Sequence, residues 1–178
     1  MDDDSVDIRF NNEVDLYRPI VELFKTQPCV FAEVPYHGKR IDLLFTGNAL
    51  RVFYAVETKL VDWKKALKQA AINQLFAQRS YVALPAIKVN KFGENVLDIF
   101  YRYRVGLIAV GAKTKIIIPA LRTEYLDKTH FYLVKKNLLV AQQTIKPKNL
   151  GVVIGTVKNG TRAIKVLQTG PHKRKRFI

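Results

Sequence analysis

The sequence predicts an α/β fold in which a central mixed β-sheet is flanked by helices, with a basic extension at the C-terminal end. Two observations predict it. Apolar segments of strand length alternate with segments of helical periodicity, in the order helix, three strands, helix, strand. Apolar residues also make up 48% of the 178-residue chain, enough for a sizeable core. We expect a core over residues 10–120 and an extension over 121–178.

The first helix is predicted within residues 11–27, NNEVDLYRPIVELFKTQ. Its apolar residues recur at helical spacing from Tyr17 to Phe24. Pro19 lies inside this pattern, where it would remove a backbone hydrogen bond. We therefore expect either a kink at Pro19 or a helix that begins near Tyr17.

Three segments that are apolar at nearly every position follow, as is typical of strands covered on both faces. They are CVFAEVPYH (29–37), GKRIDLLF (38–45) and RVFYAVETKL (51–60), and TGNAL between the last two predicts a hairpin turn. A helix is predicted over 62–78 with Asp62 as its N-cap. Strands are predicted at SYVALP (80–85), RVGLIAVG (104–111) and KIIIP (115–119).

The pattern is weaker beyond Pro119. Residues 123–143 are compatible with a helix, a strand pair or both. A hairpin around Asn159-Gly160 is predicted within residues 150–170, because Asn-Gly is a favoured two-residue turn.

The net charge of +15 points to a polyanionic partner, and DNA is the partner we expect. No Asp or Glu follows Asp127, and the tail carries four consecutive basic residues, Lys173, Arg174, Lys175 and Arg176. These four are candidates for phosphate contacts. A solvated tail explains them equally well.

Cysteine usage and hydropathy exclude several classes of protein. Cys29 is the single cysteine, so neither a disulfide framework nor a cysteine-based zinc site can be built. We expect a reducing, intracellular compartment. The sequence shows no signal peptide and no apolar run long enough to cross a bilayer, so no membrane function is expected.

The residues with the clearest chemistry end an apolar strand. Glu57 and Lys59 are two residues apart and are expected to project to one side. Fourteen residues separate Glu57 from Asp42, which lies in the neighbouring predicted strand. Two carboxylates at one end of the sheet form a site suited to Mg²⁺ or Mn²⁺, an ion that polarises a phosphodiester and lowers the pKa of a water. Lys59 would orient that water or stabilise the developing charge.

The sequence contains an aspartate, a Glu-X-Lys motif about fifteen residues later and then a helix that contains glutamine. This pattern resembles that of the PD-(D/E)XK nuclease superfamily. The matching segments are RID (40–42), ETK (57–59) and KALKQA (65–70), and the resemblance extends over about residues 12–118. The chain looks most similar to small members from archaea and their viruses, including Holliday junction resolvases. The proline that precedes the aspartate in the family motif is replaced here by Ile41.

This resemblance implies a restriction-endonuclease-like core and a Mg²⁺-dependent phosphodiester hydrolase acting on DNA. It implies that Asp42 and Glu57 bind Mg²⁺ or Mn²⁺, that Lys59 is the catalytic lysine and that Gln69 lies beside the site. It also implies a homodimer and a cytoplasmic location, the host cytoplasm if the protein is viral.

Family members often add a glutamate from the first helix, and both Glu13 and Glu22 could supply it. Glu13 falls in line with Tyr17 and the sheet-facing residues, whereas Glu22 falls on the polar face. We therefore expect Glu13 to support the site. Glu33 could add another acid near the metal, but we interpret it as a rim charge at a strand end.

Simpler interpretations exist for these charges. Glu57 and Lys59 could form a surface ion pair worth about 0–1 kcal/mol. That interpretation does not explain Asp42, an acid between apolar residues, whose burial is costly unless it is paired or bound to metal.

Other polar residues have less specific patterns. Lys39 and Arg40, and on the second helix Lys64, Lys65 and Lys68, could bind DNA phosphates or be ordinary solvated charges. We interpret His37 as a solvated loop residue, His130 and His172 as isolated, and Trp63 as part of the core.

The function predicted from the sequence is a divalent-metal-dependent DNA nuclease, most simply an endonuclease. The alternative is a nucleic-acid-binding protein of the same fold without catalysis. An intact set of Asp42, Glu57 and Lys59 favours the nuclease.

Overall fold

A computed structural model describes residues 8–27, 29–144, 155–159 and 162–167. The strands are β1 (Cys29–Tyr36), β2 (Lys39–Thr46), β3 (Phe53–Thr58), β4 (Arg79–Pro85), β5 (Gly106–Val110), β6 (Lys115–Ile118), β7 (Gly155–Asn159) and β8 (Arg162–Leu167). The helices are α1 (Tyr17–Leu23), α2 (Trp63–Asn73), α3 (Ala86–Val89), α4 (Glu94–Arg102) and α5 (Lys128–Thr144), and a 3-10 turn over Glu13–Leu16 precedes α1.

The described strands form one mixed sheet in the order β6-β5-β4-β3-β2-β1-β8-β7. β3, β4 and β5 are parallel to one another, and the other neighbouring strands pair antiparallel. The α/β class with a mixed sheet flanked by helices is therefore confirmed.

The sheet is covered on both faces. Leu43 and Val56, which pair across β2 and β3, belong to a buried cluster with Ile20 of α1. Ala55, one residue before Val56, belongs to a second cluster that includes residues of α5. Val82 of β4 lies in a third cluster with residues of α2 and α4. Because apolar side chains of β3 are buried on both faces, the strand reads in sequence as a continuous apolar run.

The first helix begins at Tyr17, one of the two outcomes predicted for the proline. Pro19 is the third residue of α1, in the first turn, where a missing N–H breaks no helical hydrogen bond. The preceding 3-10 turn is held by Asp15, whose Oδ2 accepts hydrogen bonds from the backbone N–H groups of Asn11 and Asn12.

The sequence interpretation missed α3 and α4, which lie between β4 and β5. The segment over 94–102 is helical because residues such as Leu97 and Phe100 recur at helical spacing and pack into the cluster with Val82. The segment over 123–143, left open between helix and strands, contains the helix α5.

The hairpin predicted in the extension is present as β7 and β8, but the predicted turn position was wrong: Asn159 is the last residue of β7 and pairs with Arg162, so it is not a turn residue. Residues 160–161 between them lie outside the described residues. β8 also pairs with β1, so this part of the extension continues the same sheet. Within the described residues, no helix has the length and apolar character needed to cross a membrane.

Candidate active site

β2 and β3 bring the two predicted metal-binding carboxylates close together. The pairing of the two antiparallel strands ends at Leu43 and Val56, and Asp42 and Glu57 are the next residue of each strand beyond that pair. The negative charge of Asp42 raises the pKa of Glu57, so the two carboxylates lie near each other. The fourteen residues between the two acids form parts of β2 and β3 and the loop that connects these strands.

Glu57 is buried, with 1% of its surface exposed. Its Oε1 accepts a hydrogen bond of 2.7 Å from Asn73 Nδ2 at the end of α2. Its Oε2 is buried and has no hydrogen-bond partner among the described residues. Burial, and then the negative charge of Asp42, raise the pKa of Glu57 to about 8.

Asp42 is held by the residue that follows Glu57. Its Oδ2 accepts hydrogen bonds from the backbone N–H of Thr58 at 2.7 Å and from Thr58 Oγ1 at 2.9 Å. Burial raises the pKa of Asp42 above its ordinary value, although the two hydrogen bonds and the charge of Lys59 act in the opposite direction. The other oxygen, Oδ1, is left for another ligand.

Lys59 lies one residue beyond the end of β3. Its Nζ donates hydrogen bonds to Glu13 Oε2 at 2.7 Å and to the Thr58 carbonyl at 2.8 Å. Glu57 instead bonds to α2, so the two charged residues of the ETK segment have different partners. The ammonium of Lys59 nevertheless lowers the pKa of both Asp42 and Glu57, which places all three groups in one electrostatic cluster.

Glu13, rather than Glu22, is the helix glutamate at this cluster. Glu22 pairs with Lys25 on the exposed side of α1, with 3.4 Å between Oε1 and Nζ. Glu13 precedes α1 in the 3-10 turn and contacts Lys59. Its position in line with Tyr17 indicated this placement.

Gln69 of α2 lies at a small recess beside Glu57. Gln69 Oε1 is buried and, like Glu57 Oε2, has no hydrogen-bond partner among the described residues. Lys39 and Arg40 of β2 line the same recess. Two buried oxygen acceptors without donors are costly, so this arrangement favours a bound cation or a proton on Glu57.

The carboxylate oxygens of this site have the chemistry that a divalent cation requires of its ligands. Asp42 and Glu57 each keep one carboxylate oxygen free of hydrogen bonds from the described residues, and hard oxygen ligands suit Mg²⁺ and Mn²⁺. Among the described residues no group of three or more His, Cys, Asp or Glu side chains is placed to hold a metal. Mg²⁺ commonly uses one or two protein carboxylates and completes its coordination with water and phosphate oxygens.

The interpretation of Glu33 as a strand-end charge was wrong. Glu33 lies inside β1 between Ala32 and Val34, whose partners on β2 are Leu43 and Ile41, the two chain neighbours of Asp42. Its φ of 54° is in the left-handed region that side chains other than Gly rarely adopt. Its carboxylate binds Arg40 Nη1 at 2.8 Å.

Three acids, one on each of three neighbouring strands, lie close enough to act on the same hydroxyl. Burial, followed by the charges of Asp42, Glu33 and Glu57, raises the pKa of the Tyr17 hydroxyl. The alternation of apolar residues in β1 gave no sign of this arrangement, because a positive φ in mid-strand has no sequence signature when the residue is not Gly.

The other predicted DNA-binding residues are only partly placed. Lys64, Lys65 and Lys68 are exposed on α2, the helix that carries Gln69. Lys173, Arg174, Lys175 and Arg176 lie outside the described residues, as does His172. Trp63 packs against Phe92 and Phe100, as predicted for a core residue.

The interpretation of His130 as isolated was wrong. His130 Nδ1 is 2.7 Å from the Tyr36 hydroxyl, and its ring centroid is 5.2 Å from that of His37. Residues 94 positions apart in the chain meet here because α5 begins beside the β1–β2 turn.

Two residues that hold the carboxylates of the site were not identified from the sequence. Thr58 was treated as the variable position of the motif, although it supplies both donors to Asp42. Asn73, the donor to Glu57, lies four residues after Gln69 and so on the same side of α2. That spacing was a usable signal for Asn73, whereas nothing in the sequence marked Thr58.

Comparisons with known proteins leave the family open. No family model matches the chain, and no curated protein matches it either. Among solved structures it is similar to SPO1766, a protein of unknown function from Silicibacter pomeroyi, with a TM-score of 0.55 and 14% sequence identity. The match covers 77% of this chain and 90% of that one. At this identity the likeness concerns the fold alone.

Proposed function

We propose that this chain is a divalent-metal-dependent DNA nuclease, and specifically an endonuclease with a PD-(D/E)XK core that acts as a homodimer. One observation carries the proposal. Asp42 and Glu57 lie next to the last pair of β2 and β3, Leu43 and Val56, and Glu57 Oε2 is buried without a donor among the described residues. The resemblance of the RID and ETK segments to the family motif and the net charge of +15 support it.

Asp42 and Glu57 would hold Mg²⁺ or Mn²⁺, which when bound would polarise the scissile phosphate and lower the pKa of the attacking water. Asn73 and Thr58 fix the two carboxylates, so that one oxygen of each remains free. Precise orientation of this kind keeps the reacting groups within reach and lowers the activation barrier.

Lys59 would orient the attacking water and stabilise negative charge that develops on the phosphate. Glu13 holds the Lys59 ammonium at 2.7 Å and so acts as a positioning residue. Gln69 would contact the water or the phosphate from the recess beside Glu57. Lys39 and Arg40, which line that recess, would bind the DNA backbone.

The test is cleavage of a labelled panel of duplex, single-stranded, flapped and four-way-junction DNA in Mg²⁺, in Mn²⁺ and in chelator. Glu57→Gln keeps the shape of the side chain but removes its charge, and Glu22→Gln is the matched control on α1. We expect metal-dependent cleavage that Glu57→Gln abolishes and Glu22→Gln preserves. Tight binding of DNA without cleavage in either metal would instead support a DNA-binding protein without catalytic activity.

A further inference from the structure

A second pocket, of about 350 Å³, opens at the C-terminal ends of α2 and α4. Its lining residues are Ala71 and Gln74 from α2 and its end, Arg102 and Tyr103 from the end of α4, and Tyr125. None of these residues belongs to the recess beside Glu57. The pocket is therefore separate from the candidate active site.

The two tyrosines that line this pocket, Tyr103 and Tyr125, are exposed, and so is Tyr101 on α4. Tyr101, Tyr103 and Tyr125 have 54%, 52% and 62% of their surface exposed. None of their rings stacks on another aromatic ring of the described residues. Free aromatic faces are suited to stacking on a flat ligand such as a nucleobase.

Arginines are interleaved with these tyrosines. Arg104, at the end of α4, pairs with Glu124 at 3.2 Å and donates a hydrogen bond of 3.1 Å to the Arg122 carbonyl. These contacts hold the segment with Tyr125 against α4. Arg102 and Arg122 form no ion pair within the described part of the chain, so their charges remain available to an anion.

The walls of the pocket are fixed by further hydrogen bonds. Gln74 Nε2 donates to the Tyr103 carbonyl at 2.7 Å, and Thr123 Oγ1 donates to Gln74 Oε1 at 3.3 Å. Tyr103 and Tyr125 thus project from two segments that Gln74 connects. A preformed pocket loses little conformational entropy when a ligand binds.

We propose that this pocket binds an unpaired DNA strand, with bases stacked on Tyr103 and Tyr125 and a phosphate paired with Arg102. Single-strand binding sites combine aromatic stacking platforms with basic side chains in this way. In a duplex the bases are already stacked on one another and cannot reach these rings.

A single-strand site would define which DNA the proposed nuclease prefers. The identification of the polyanion as DNA rests on the proposed function. Gln74 follows Asn73 directly in the chain, and Asn73 binds Glu57. One end of α2 therefore contacts both sites. A substrate with an unpaired segment close to the bond that is cut, such as a flap or a junction, fits this arrangement.

A different role for the arginines is to neutralise the negative end of the α4 dipole. That role explains Arg102, but it does not explain the two exposed tyrosine rings that line the pocket. A protein partner would also use Tyr and Arg. The net charge of +15 favours a polyanion over such a partner.

The test measures the affinity of the full chain for a labelled oligothymidylate strand and for a duplex of equal length, in chelator so that no cleavage occurs. The variant is Tyr103→Ala with Tyr125→Ala. Tyr132→Ala is the matched control, because Tyr132 is also 62% exposed but lies on α5. Tyr103→Phe with Tyr125→Phe keeps the rings, and circular dichroism checks that each variant folds.

We expect the double alanine variant to bind the single strand about tenfold more weakly or worse, while its duplex affinity stays within about twofold. The phenylalanine variant and Tyr132→Ala should bind like the wild type. Unchanged single-strand affinity, or an equal loss for both DNA forms, would overturn the proposal. Since no metal is present, this outcome is independent of whether the protein cleaves DNA.

Discussion

At the scale of single residues, Glu57 combines deep burial with an oxygen that has no donor in the described part of the chain. An ionised carboxylate in such a place is destabilising, which is why burial and the charge of Asp42 raise the pKa of Glu57 to about 8. At neutral pH and without metal, Glu57 therefore carries a proton. A bound cation would displace that proton.

This raised pKa predicts how stability depends on pH. Between about pH 4.5 and 8 the folded protein binds one more proton at Glu57 than the unfolded chain, so the free energy of unfolding falls as the pH rises through this range. Asp42, whose pKa is also raised, acts in the same direction. We expect metal-free wild-type protein to lose a few kcal/mol in this window, as measured by urea denaturation in chelator.

Glu57→Gln is the control for that measurement, because glutamine has nearly the same shape and does not titrate. Its unfolding free energy should vary much less between pH 5 and pH 8. A wild-type protein whose stability is flat or rises over this window would contradict the assignment of the raised pKa to Glu57.

Glu33 gives a second prediction at this scale. Its φ of 54° costs free energy for any residue with a Cβ, and glycine avoids that cost. Both Glu33→Gly and Glu33→Ala remove the ion pair with Arg40. We therefore expect Glu33→Gly to be more stable than Glu33→Ala by about 1 kcal/mol, measured by chemical denaturation.

If alanine were at least as stable as glycine at position 33, the left-handed conformation of Glu33 would be wrong. Strained residues of this kind cluster at functional sites. Glu33→Gly should also reduce DNA cleavage, despite relieving the strain, because it removes the carboxylate that binds Arg40 at the recess beside Glu57.

At the scale of elements, α2 positions the part of the candidate site around Glu57. It carries Gln69 beside Glu57 and Asn73 bonded to Glu57, and its first turn is capped by Asp62, whose Oδ1 accepts a hydrogen bond from the Lys65 N–H at 3.0 Å. The cap was predicted from the sequence because Asp before an amphipathic run is a typical N-cap.

We expect Asp62→Ala to lower the unfolding free energy by about 1 kcal/mol, because it leaves an N–H of the first turn without an acceptor. Asp62→Asn keeps a side-chain oxygen and should retain most of the stability. Thermal unfolding of the two variants distinguishes them. Equal destabilisation by Ala and Asn would indicate that the charge of Asp62, rather than its capping hydrogen bond, stabilises the helix.

The strands of the core could be predicted because their apolar residues form continuous runs. The helix α2 could be predicted because its helical periodicity and its N-cap residue, Asp62, indicate the same starting point. α4 was missed although Leu97 and Phe100 recur at helical spacing, because the helix has only nine residues and its N-cap, Gly93, has no side chain to mark the start. The proximity of Asp42 and Glu57 was predicted from the motif spacing. The contacts of Thr58 and the conformation of Glu33 depend on the folded backbone and could not be predicted.

At the scale of the whole molecule, the charge of +15 predicts DNA binding that weakens steeply with salt, because each phosphate contact releases counterions. We expect Lys39→Ala, at the recess beside Glu57, to reduce the salt slope of log affinity by about 0.9. Lys25→Ala is the control. Lys25 precedes β1, whose first residue pairs with Thr46 at the far end of β2 from Asp42.

Fluorescence anisotropy over a range of salt concentrations measures both slopes. If Lys25→Ala reduced the slope as much as Lys39→Ala does, DNA binding would be spread over the whole basic surface. The DNA would then not be centred on the candidate site.

The central claim is that Asp42 and Glu57 form a metal site, and calorimetric titration of the protein with Mn²⁺ tests it most directly. We expect binding to tighten as the pH rises towards 8 and to release about one proton, seen as a difference between buffers of different ionisation enthalpy. Binding should be lost in Asp42→Asn and in Glu57→Gln and kept in Glu22→Gln. Binding that is absent from the wild type, or equally strong in Glu57→Gln, would contradict the account.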